Sequence, residues 1–171
     1  FIGRLVDQKD PFTLLKALNL IKNKINYRSI IIGKGVFKEE MNNYIRKNKL
    51  QKNIKIMGWS KNPYFFLNLS NLLVLTSKFE GLPNVLLEAI TLKKFVISSN
   101  CPTGPGEILD NGKGGMLFKV GDYKDLSKKI IIYQKNKKNF LNKINYAYKR
   151  LYRYDHKKNL NNYLKLILNE I

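Results

Sequence analysis

The sequence is poor in the residues that form covalent cross-links and metal sites. Its 171 residues include one cysteine, Cys101, and one histidine, His156. A single cysteine excludes an internal disulfide and fits a reducing cytoplasm, where we expect the protein to act, either free or at the inner face of the membrane. No apolar run reaches the roughly 18 residues that a membrane-spanning helix needs, so no such span is predicted.

Acidic residues are also scarce. Twelve Asp and Glu residues stand against 32 Lys and Arg residues, which gives a formal net charge of +20. Such a charge suits either nucleic acid or an anionic membrane surface. No zinc pattern, helix-turn-helix or stretch of alternating aromatic and arginine residues is present, so no specific nucleic-acid partner is predicted. Peripheral contact with an anionic membrane stays open, as does a coding bias toward Lys, Asn and Ile.

Short apolar runs alternate with longer helical patterns along the chain. This alternation predicts an α/β fold with a Rossmann-like parallel sheet of about six strands and helices on both faces, in a single domain over residues 1–171. The predicted strands are Phe1–Leu5, Ser29–Ile32, Asn53–Met57, Leu72–Thr76, Phe95–Ser98 and Gly115–Lys119. The predicted helices begin near Pro11, Phe37, Pro63, Leu82, Asp122, Asn139 and Asp155. Because the sequence opens inside a predicted strand, we expect further residues upstream.

Two other classes of parallel α/β protein are disfavoured by missing motifs. A dinucleotide-binding domain requires a G-x-G-x-x-G turn after its first strand, but the sequence there reads Gly3-Arg4-Leu5-Val6-Asp7. A phosphate-accepting response regulator would have paired aspartates at strand ends, and these are absent from the sequence.

Polar and glycine-rich segments follow five successive predicted strands. Ligands of open parallel sheets bind beyond the carboxyl ends of the strands, so these segments are expected to face a ligand. They are Arg4–Lys9, Gly33–Gly35, Gly58–Asn62, Ser77–Asn84 and Asn100–Gly106. Loops are commonly polar and rich in glycine, but this alone does not explain the charged residues among them.

The segment Phe79–Ala89, FEGLPNVLLEA, carries two glutamates with seven residues between them. A carboxylate accepts hydrogen bonds at two oxygens, so Glu88 suits the two hydroxyls of a ribose and Glu80 suits the hydroxyls of a sugar. The helix predicted to start here offers free backbone amides to an anion such as a diphosphate. Gly81 permits close approach of a ligand, and Pro83 fixes the helix start.

Arg4 and Lys9 flank the loop after the first predicted strand. A nucleoside diphosphate that leaves its sugar gains negative charge, which an arginine and a lysine can stabilise without a metal. The alternative is a surface arrangement in which the two cations pair with Asp7 and Asp10.

These residues together resemble a known family. Gly3-Arg4-Leu5 with Lys9-Asp10, the Phe79–Ala89 segment, and Asn100–Leu109 with its Gly104-Pro105 are similar to the C-terminal, donor-binding half of the retaining group 1 (family 4) glycosyltransferases with the GT-B fold. The resemblance runs from Phe1 to about Leu126 and more loosely beyond. It implies that Arg4, Lys9 and Glu80 are catalytic: the two cations contact the donor diphosphate, and Glu80 contacts the transferred sugar.

The resemblance also implies the remaining contacts to the donor. Glu88 would bind the ribose. Trp59 would lie against the base, and the alternative role for Trp59 is packing. Lys34 replaces a residue that is often acidic in the family. The other implied donor-binding residues are Gly33, Gly58, Gly81, Leu82, Pro83 and Asn84. No metal site and no cofactor are implied, and the sequence has no cluster of His, Cys and Asp that would contradict this.

The function implied is transfer of a sugar from a nucleoside-diphosphate donor, expected to be UDP-linked, to a glycan or lipid-linked acceptor. The sugar would be a hexose or an N-acetylhexosamine, and an N-terminal domain upstream would hold the acceptor. We therefore expect the isolated chain to bind donor weakly and to transfer almost nothing. The alternative is a non-catalytic nucleotide-sugar-binding module or regulatory subunit.

Overall fold

The chain folds into alternating strands and helices, which confirms the predicted α/β class. The computed structural model describes residues 1–169. The strands are β1 Ser29–Ile32, β2 Ile54–Gly58, β3 Leu72–Leu75, β4 Phe95–Ser99 and β5 Met116–Phe118. The α-helices are α1 Pro11–Ile21, α2 Lys38–Lys47, α3 Pro63–Leu69, α4 Asn84–Thr91, α5 Pro105–Ile108, α6 Tyr123–Lys135, α7 Leu141–Lys149 and α8 His156–Asn169. Shorter 3-10 helices cover Asp7–Lys9, Lys137–Phe140 and Arg150–Tyr154.

The strands form two parallel sheets rather than one. β1 pairs with β2, and β4 lies between β3 and β5 in the second sheet. The predicted single sheet of about six strands is therefore wrong for the described residues, which contain five strands in sheets of two and three.

The missing sixth strand is the predicted Phe1–Leu5. Only Ile2 forms a ladder bridge, to Ile32 of β1, although the Gly3 amide also donates to the Ile32 carbonyl at 3.0 Å. The chain then turns into the Asp7–Lys9 helix, so too few consecutive residues stay extended to continue the ladder. A cavity of about 400 Å³ is bordered by Phe1, by β1 and by β3.

Apolar side chains cover both faces of the second sheet. Alternate residues of a strand point to opposite faces, and Val74 accordingly joins one buried cluster while Leu73 and Leu75 join the other. The first cluster includes residues of α1 and α6, and the second includes residues of α4 and α7. Helices therefore lie on both faces, as predicted, and burial from two sides explains the nearly continuous apolar character of β3 and β4.

Several helix boundaries differ from the prediction. Helix α4 begins at Asn84 rather than Leu82, because Pro83 occupies the N-cap position with ψ of 89°. The helix predicted from Asn139 is interrupted, with 3-10 turns on either side of α7. Helix α5 lies partly in a predicted turn, where Pro105 follows Gly104 at the first helical position. The last predicted helix is α8, and its continuation through residues 170–171 lies outside the described residues.

Candidate functional site

The carboxyl ends of β1 and β2 meet the loop that follows the first chain segment. The Gly33 amide donates to the Gly58 carbonyl at 2.7 Å, and the Leu5 amide donates to the Lys34 carbonyl at 2.8 Å. Trp59 comes directly after β2 and is 61% exposed, and the Lys34 ammonium lies 6.0 Å from the centroid of its ring. Three of the segments predicted to face a ligand are therefore neighbours.

Gly33 allows this close approach of two turns. Its φ is +152°, and a Cβ at this position would lie 1.8 Å from the Gly3 carbonyl oxygen. No side chain fits there unless β1 and the first segment separate. The predicted glycine turn after β1 is thus required by backbone contact within the protein itself.

Two hydrogen bonds hold the loop that carries Lys9 against the residues that follow β3. The Lys78 amide donates to the Gln8 carbonyl at 2.8 Å, and the Thr76 hydroxyl donates to the Lys9 carbonyl at 2.8 Å. These two bonds hold the 3-10 helix of Asp7–Lys9 beside the segment that contains Glu80.

Lys9 and Glu80 form a direct ion pair. The Lys9 ammonium lies 2.5 Å from Glu80 Oε1, and the two side chains are only 16% and 7% exposed. The buried Ser77 hydroxyl donates to the same carboxylate oxygen at 2.5 Å. Lys9, which was expected to contact the donor diphosphate, and Glu80, which was expected to contact the sugar, therefore contact each other in the ligand-free protein.

Arg4 is exposed and reaches the same segment through Gln8. The Arg4 guanidinium donates to Gln8 Oε1 at 2.8 Å, and the Gln8 amide nitrogen donates to the Phe79 carbonyl at 3.2 Å. No motif in the sequence singles out Gln8. Its position between Arg4 and Lys9, in a loop predicted to face a ligand, was the available signal.

The turn before α4 packs against the loop after β4. A Cβ at Gly104, whose φ is +86°, would lie 2.3 Å from the Gly81 carbonyl oxygen, and the Thr103 hydroxyl donates to the Glu80 carbonyl. In the part of the chain that the structure describes, no side chain caps the first turn of α4, and Gly81, Leu82 and Asn84 are exposed. An uncapped helix start of this kind has backbone amides available to an anion.

Glu88 lies farther along α4 and has a different neighbour. The Tyr64 hydroxyl, from the first turn of α3, donates to Glu88 Oε1 at 3.1 Å. This hydrogen bond raises the pKa of Tyr64 above its ordinary value, because loss of the phenol proton would leave two anions in contact. Within residues 1–168, the described side-chain hydrogen bonds and ion pairs connect Glu88 to α3 and not to Arg4, Lys9 or Glu80.

Among the described side-chain hydrogen bonds, none joins Cys101 or His156 to Arg4, Lys9, Glu80 or Glu88. Cys101 is 3% exposed, and burial, followed by the charge of Glu80, raises the pKa of its thiol. His156 is exposed at the start of α8. Among the described residues, no three or more His, Cys, Asp and Glu side chains are grouped so that they could hold a metal ion. Over the same part of the chain, no helix has the length and apolar character to cross a membrane.

A parallel α/β domain with cations, carboxylates and an uncapped helix start at its strand ends is typical of proteins that bind nucleotides. The chain belongs to a particular family of such proteins, the group 1 glycosyltransferases, whose family model matches residues 1–150. This confirms the predicted group 1 family. The fold agrees with that of GT-B glycosyltransferases and is consistent with their C-terminal domain.

Two sequence relatives illustrate the match. An uncharacterized glycosyltransferase of Methanocaldococcus jannaschii is 43% identical over 109 residues, which cover 63% of this chain and 27% of the relative. The N-acetylgalactosamine-N,N'-diacetylbacillosaminyl-diphospho-undecaprenol 4-alpha-N-acetylgalactosaminyltransferase of Campylobacter jejuni is 28% identical over 119 residues, which cover 70% of this chain and 32% of the relative. The chain thus matches about a third or less of the length of these relatives.

A solved structure shares the fold. A crystal structure of a TarM variant from Staphylococcus aureus, in complex with fondaparinux, α-GlcNAc-glycerol and UDP, superposes with a TM-score of 0.89. Its sequence is 24% identical, and the match covers 96% of this chain and 34% of that protein.

Proposed function

We propose that this chain is the donor-binding half of a retaining glycosyltransferase and that it binds a UDP-linked sugar beyond the carboxyl ends of its strands. The observation that carries the proposal is the partly buried Lys9–Glu80 pair, which lies next to Arg4 and the uncapped start of α4. This arrangement offers cations and backbone amides to a diphosphate and a carboxylate to a sugar.

The chemistry follows from where charge develops. When the bond between the sugar and the diphosphate breaks, the electron pair leaves with the diphosphate, whose negative charge increases. The sugar carbon bonds to the oxygen of the acceptor hydroxyl, and the proton of that hydroxyl passes to the departing diphosphate. Arg4, Lys9 and the first amides of α4 stabilise that charge, so no metal and no cofactor take part in the proposed reaction. Lys9 turns from Glu80 toward the diphosphate, and Glu80 then accepts hydrogen bonds from the hydroxyls of the sugar.

The remaining donor contacts are assigned by position. Glu88 binds the ribose, and Trp59 lies against the base beside the paired turns at Gly33 and Gly58. Gly81 and Leu82 contribute backbone amides to the sugar and phosphate, and Pro83 and Asn84 form the helix start that faces them. The exposed Trp59 ring supports this assignment, because a residue that served packing alone would be more buried.

Titration of the chain with UDP, GDP and ADP tests the proposed donor. The presence of UDP in the related crystal structure favours uridine. We expect UDP to bind at least about tenfold more tightly than GDP or ADP, since a base site built to hydrogen-bond one base leaves polar groups unpaired with another. Isothermal calorimetry measures all three affinities. Equal affinity for the three nucleotides would contradict a uridine site, and absence of binding would contradict the proposed function.

The acceptor is proposed to be a glycan or lipid-linked sugar held by an N-terminal domain outside residues 1–171. The name of the Campylobacter jejuni relative, which acts on a diphospho-undecaprenol-linked glycan, supports a lipid-linked acceptor. A hexose or an N-acetylhexosamine is the proposed sugar. The isolated chain would bind donor but transfer almost nothing, because half of the site would be missing.

Contact with an anionic membrane is a further part of the proposal, which places the enzyme in the cytoplasm at the inner face of the membrane. Each basic residue near an anionic surface adds about 1 kcal/mol of attraction. Lys157 and Lys158 are exposed on α8, and the Lys158 ammonium lies 4.9 Å from the centroid of the Tyr152 ring. Tyr152 itself is 57% exposed. We expect the chain to co-sediment with phosphatidylglycerol vesicles at low salt and to be released as salt is raised. Equal binding to neutral phosphatidylcholine vesicles, or none to either, would argue against this contact.

A further inference from the structure

We infer that Tyr64 is a positioning residue that orients the Glu88 carboxylate for the ribose of the nucleotide. The inference rests on the proposed function and deepens it, because it adds a residue that acts through Glu88 rather than on the donor. The observation behind it is the hydrogen bond of 3.1 Å from the Tyr64 hydroxyl to Glu88 Oε1.

The position of Tyr64 is set by the start of α3. Asn62 caps this helix by accepting a hydrogen bond from the Phe65 amide at 3.2 Å, and Pro63 occupies its first position. The helix is held against the domain by the buried Leu67 and by a 2.6 Å hydrogen bond from the Lys94 ammonium to the Asn68 carbonyl. A capped and anchored helix holds the phenol hydroxyl in a defined place.

Glu88 needs such a partner. Its side chain is only partly buried, and Tyr64 is the hydrogen-bond donor to it among the described residues. A glutamate side chain has several freely rotating bonds, and fixing them on ligand binding costs affinity. The phenol occupies one of the roughly four lone-pair directions of the carboxylate, so acceptor capacity for two ribose hydroxyls remains.

The connection between β2 and α3 places this pair where a nucleotide would use it. Trp59, the proposed base contact, lies at the start of that connection, and Tyr64 follows five residues later. A base and its ribose are covalently adjacent, so residues that serve them are expected close together. Tyr64 also remains 49% exposed, as expected for a group at the edge of a binding crevice rather than in the core.

The test is Tyr64→Phe, studied by calorimetric titration with UDP and with 2′,3′-dideoxyuridine diphosphate. Loss of one restrained, rotamer-rich side chain corresponds to roughly three- to tenfold in affinity. We expect Tyr64→Phe to weaken UDP binding by about that factor and to leave the dideoxy nucleotide unchanged, because the latter lacks the hydroxyls that Glu88 would bind. In a Glu88→Ala background, Tyr64→Phe should have no further effect.

A matched control removes a hydroxyl elsewhere. Tyr27 donates to the Leu18 carbonyl at 3.0 Å in another part of the fold, so Tyr27→Phe should leave UDP affinity unchanged. The inference alone is overturned if wild type binds UDP through Glu88 and Tyr64→Phe binds it equally well. It is also overturned if the loss is the same with the dideoxy nucleotide or persists in Glu88→Ala. A wild-type chain that binds no UDP would overturn the proposed function and this inference together.

Discussion

Replacement of Glu88 by alanine is expected to weaken UDP and UDP-sugars by the same factor, whereas Glu80→Gln is expected to weaken only the sugar conjugates. A hydrogen bond to a charged group contributes about 1.5–3 kcal/mol, so loss of the ribose contacts corresponds to roughly 10- to 100-fold in affinity. Glu80 contacts no part of bare UDP in the proposed complex. Its replacement also frees Lys9 from the ion pair, so UDP itself should bind at least as tightly as before.

The two glutamates can be separated by calorimetry with UDP and two UDP-sugars on each variant. Glu40→Ala is the matched control, because this glutamate is exposed on α2, and its loss should change none of the affinities. Equal losses for UDP and UDP-sugar in Glu80→Gln would contradict the sugar assignment. A Glu88→Ala loss confined to the sugar conjugates would show that the two roles are reversed.

The sequence predicted the strands β3 and β4 of the second sheet well, because both are buried on two faces, although it did not predict the division into two sheets. The uninterrupted apolar runs of β3 and β4 leave little choice of element, and the observed bounds lie within one residue of the predicted ones. The prediction of a strand at Phe1–Leu5 was wrong, because this segment is not paired continuously with a neighbouring strand. Whether an extended segment becomes a strand depends on continuous pairing with neighbours, and only Ile2 bridges to β1 here. Pairing of this kind is not encoded in local apolar pattern.

The candidate site was predicted as a set of residues but not as a set of contacts. Because both residues follow strand ends of a parallel sheet, Lys9 and Glu80 were correctly expected near each other, although they are 71 positions apart in the sequence. The sequence did not predict that they bond directly, because the distance between two side chains depends on rotamers and on anchors such as Ser77. Tyr64 was not predicted, because its proposed role depends on a tertiary contact with Glu88 that the sequence pattern does not indicate.

Lys9→Met is expected to destabilise the domain as well as to remove one of the two cations proposed to contact the diphosphate. Breaking a buried ion pair leaves the partner charge uncompensated and costs about 3–5 kcal/mol. Because the Lys9–Glu80 pair is only partly buried, the expected cost lies near the lower figure, about 3 kcal/mol. For a domain of this size, that corresponds to a fall of about 6–12 °C in melting temperature, measurable by calorimetry or circular dichroism.

A second lysine provides the matched control. Lys78 also lies 2.5 Å from a carboxylate, that of Asp7, but these side chains are 41% and 73% exposed. Exposed pairs contribute about 1 kcal/mol or less, so Lys78→Met should lower the melting temperature by no more than about 4 °C. The double variant Lys9→Met with Glu80→Met should recover most of the lost stability, because no buried charge remains unpaired. If Lys9→Met and Lys78→Met have the same melting temperature, burial does not strengthen the Lys9–Glu80 pair. In that case Lys9 would turn toward a diphosphate at little cost in free energy.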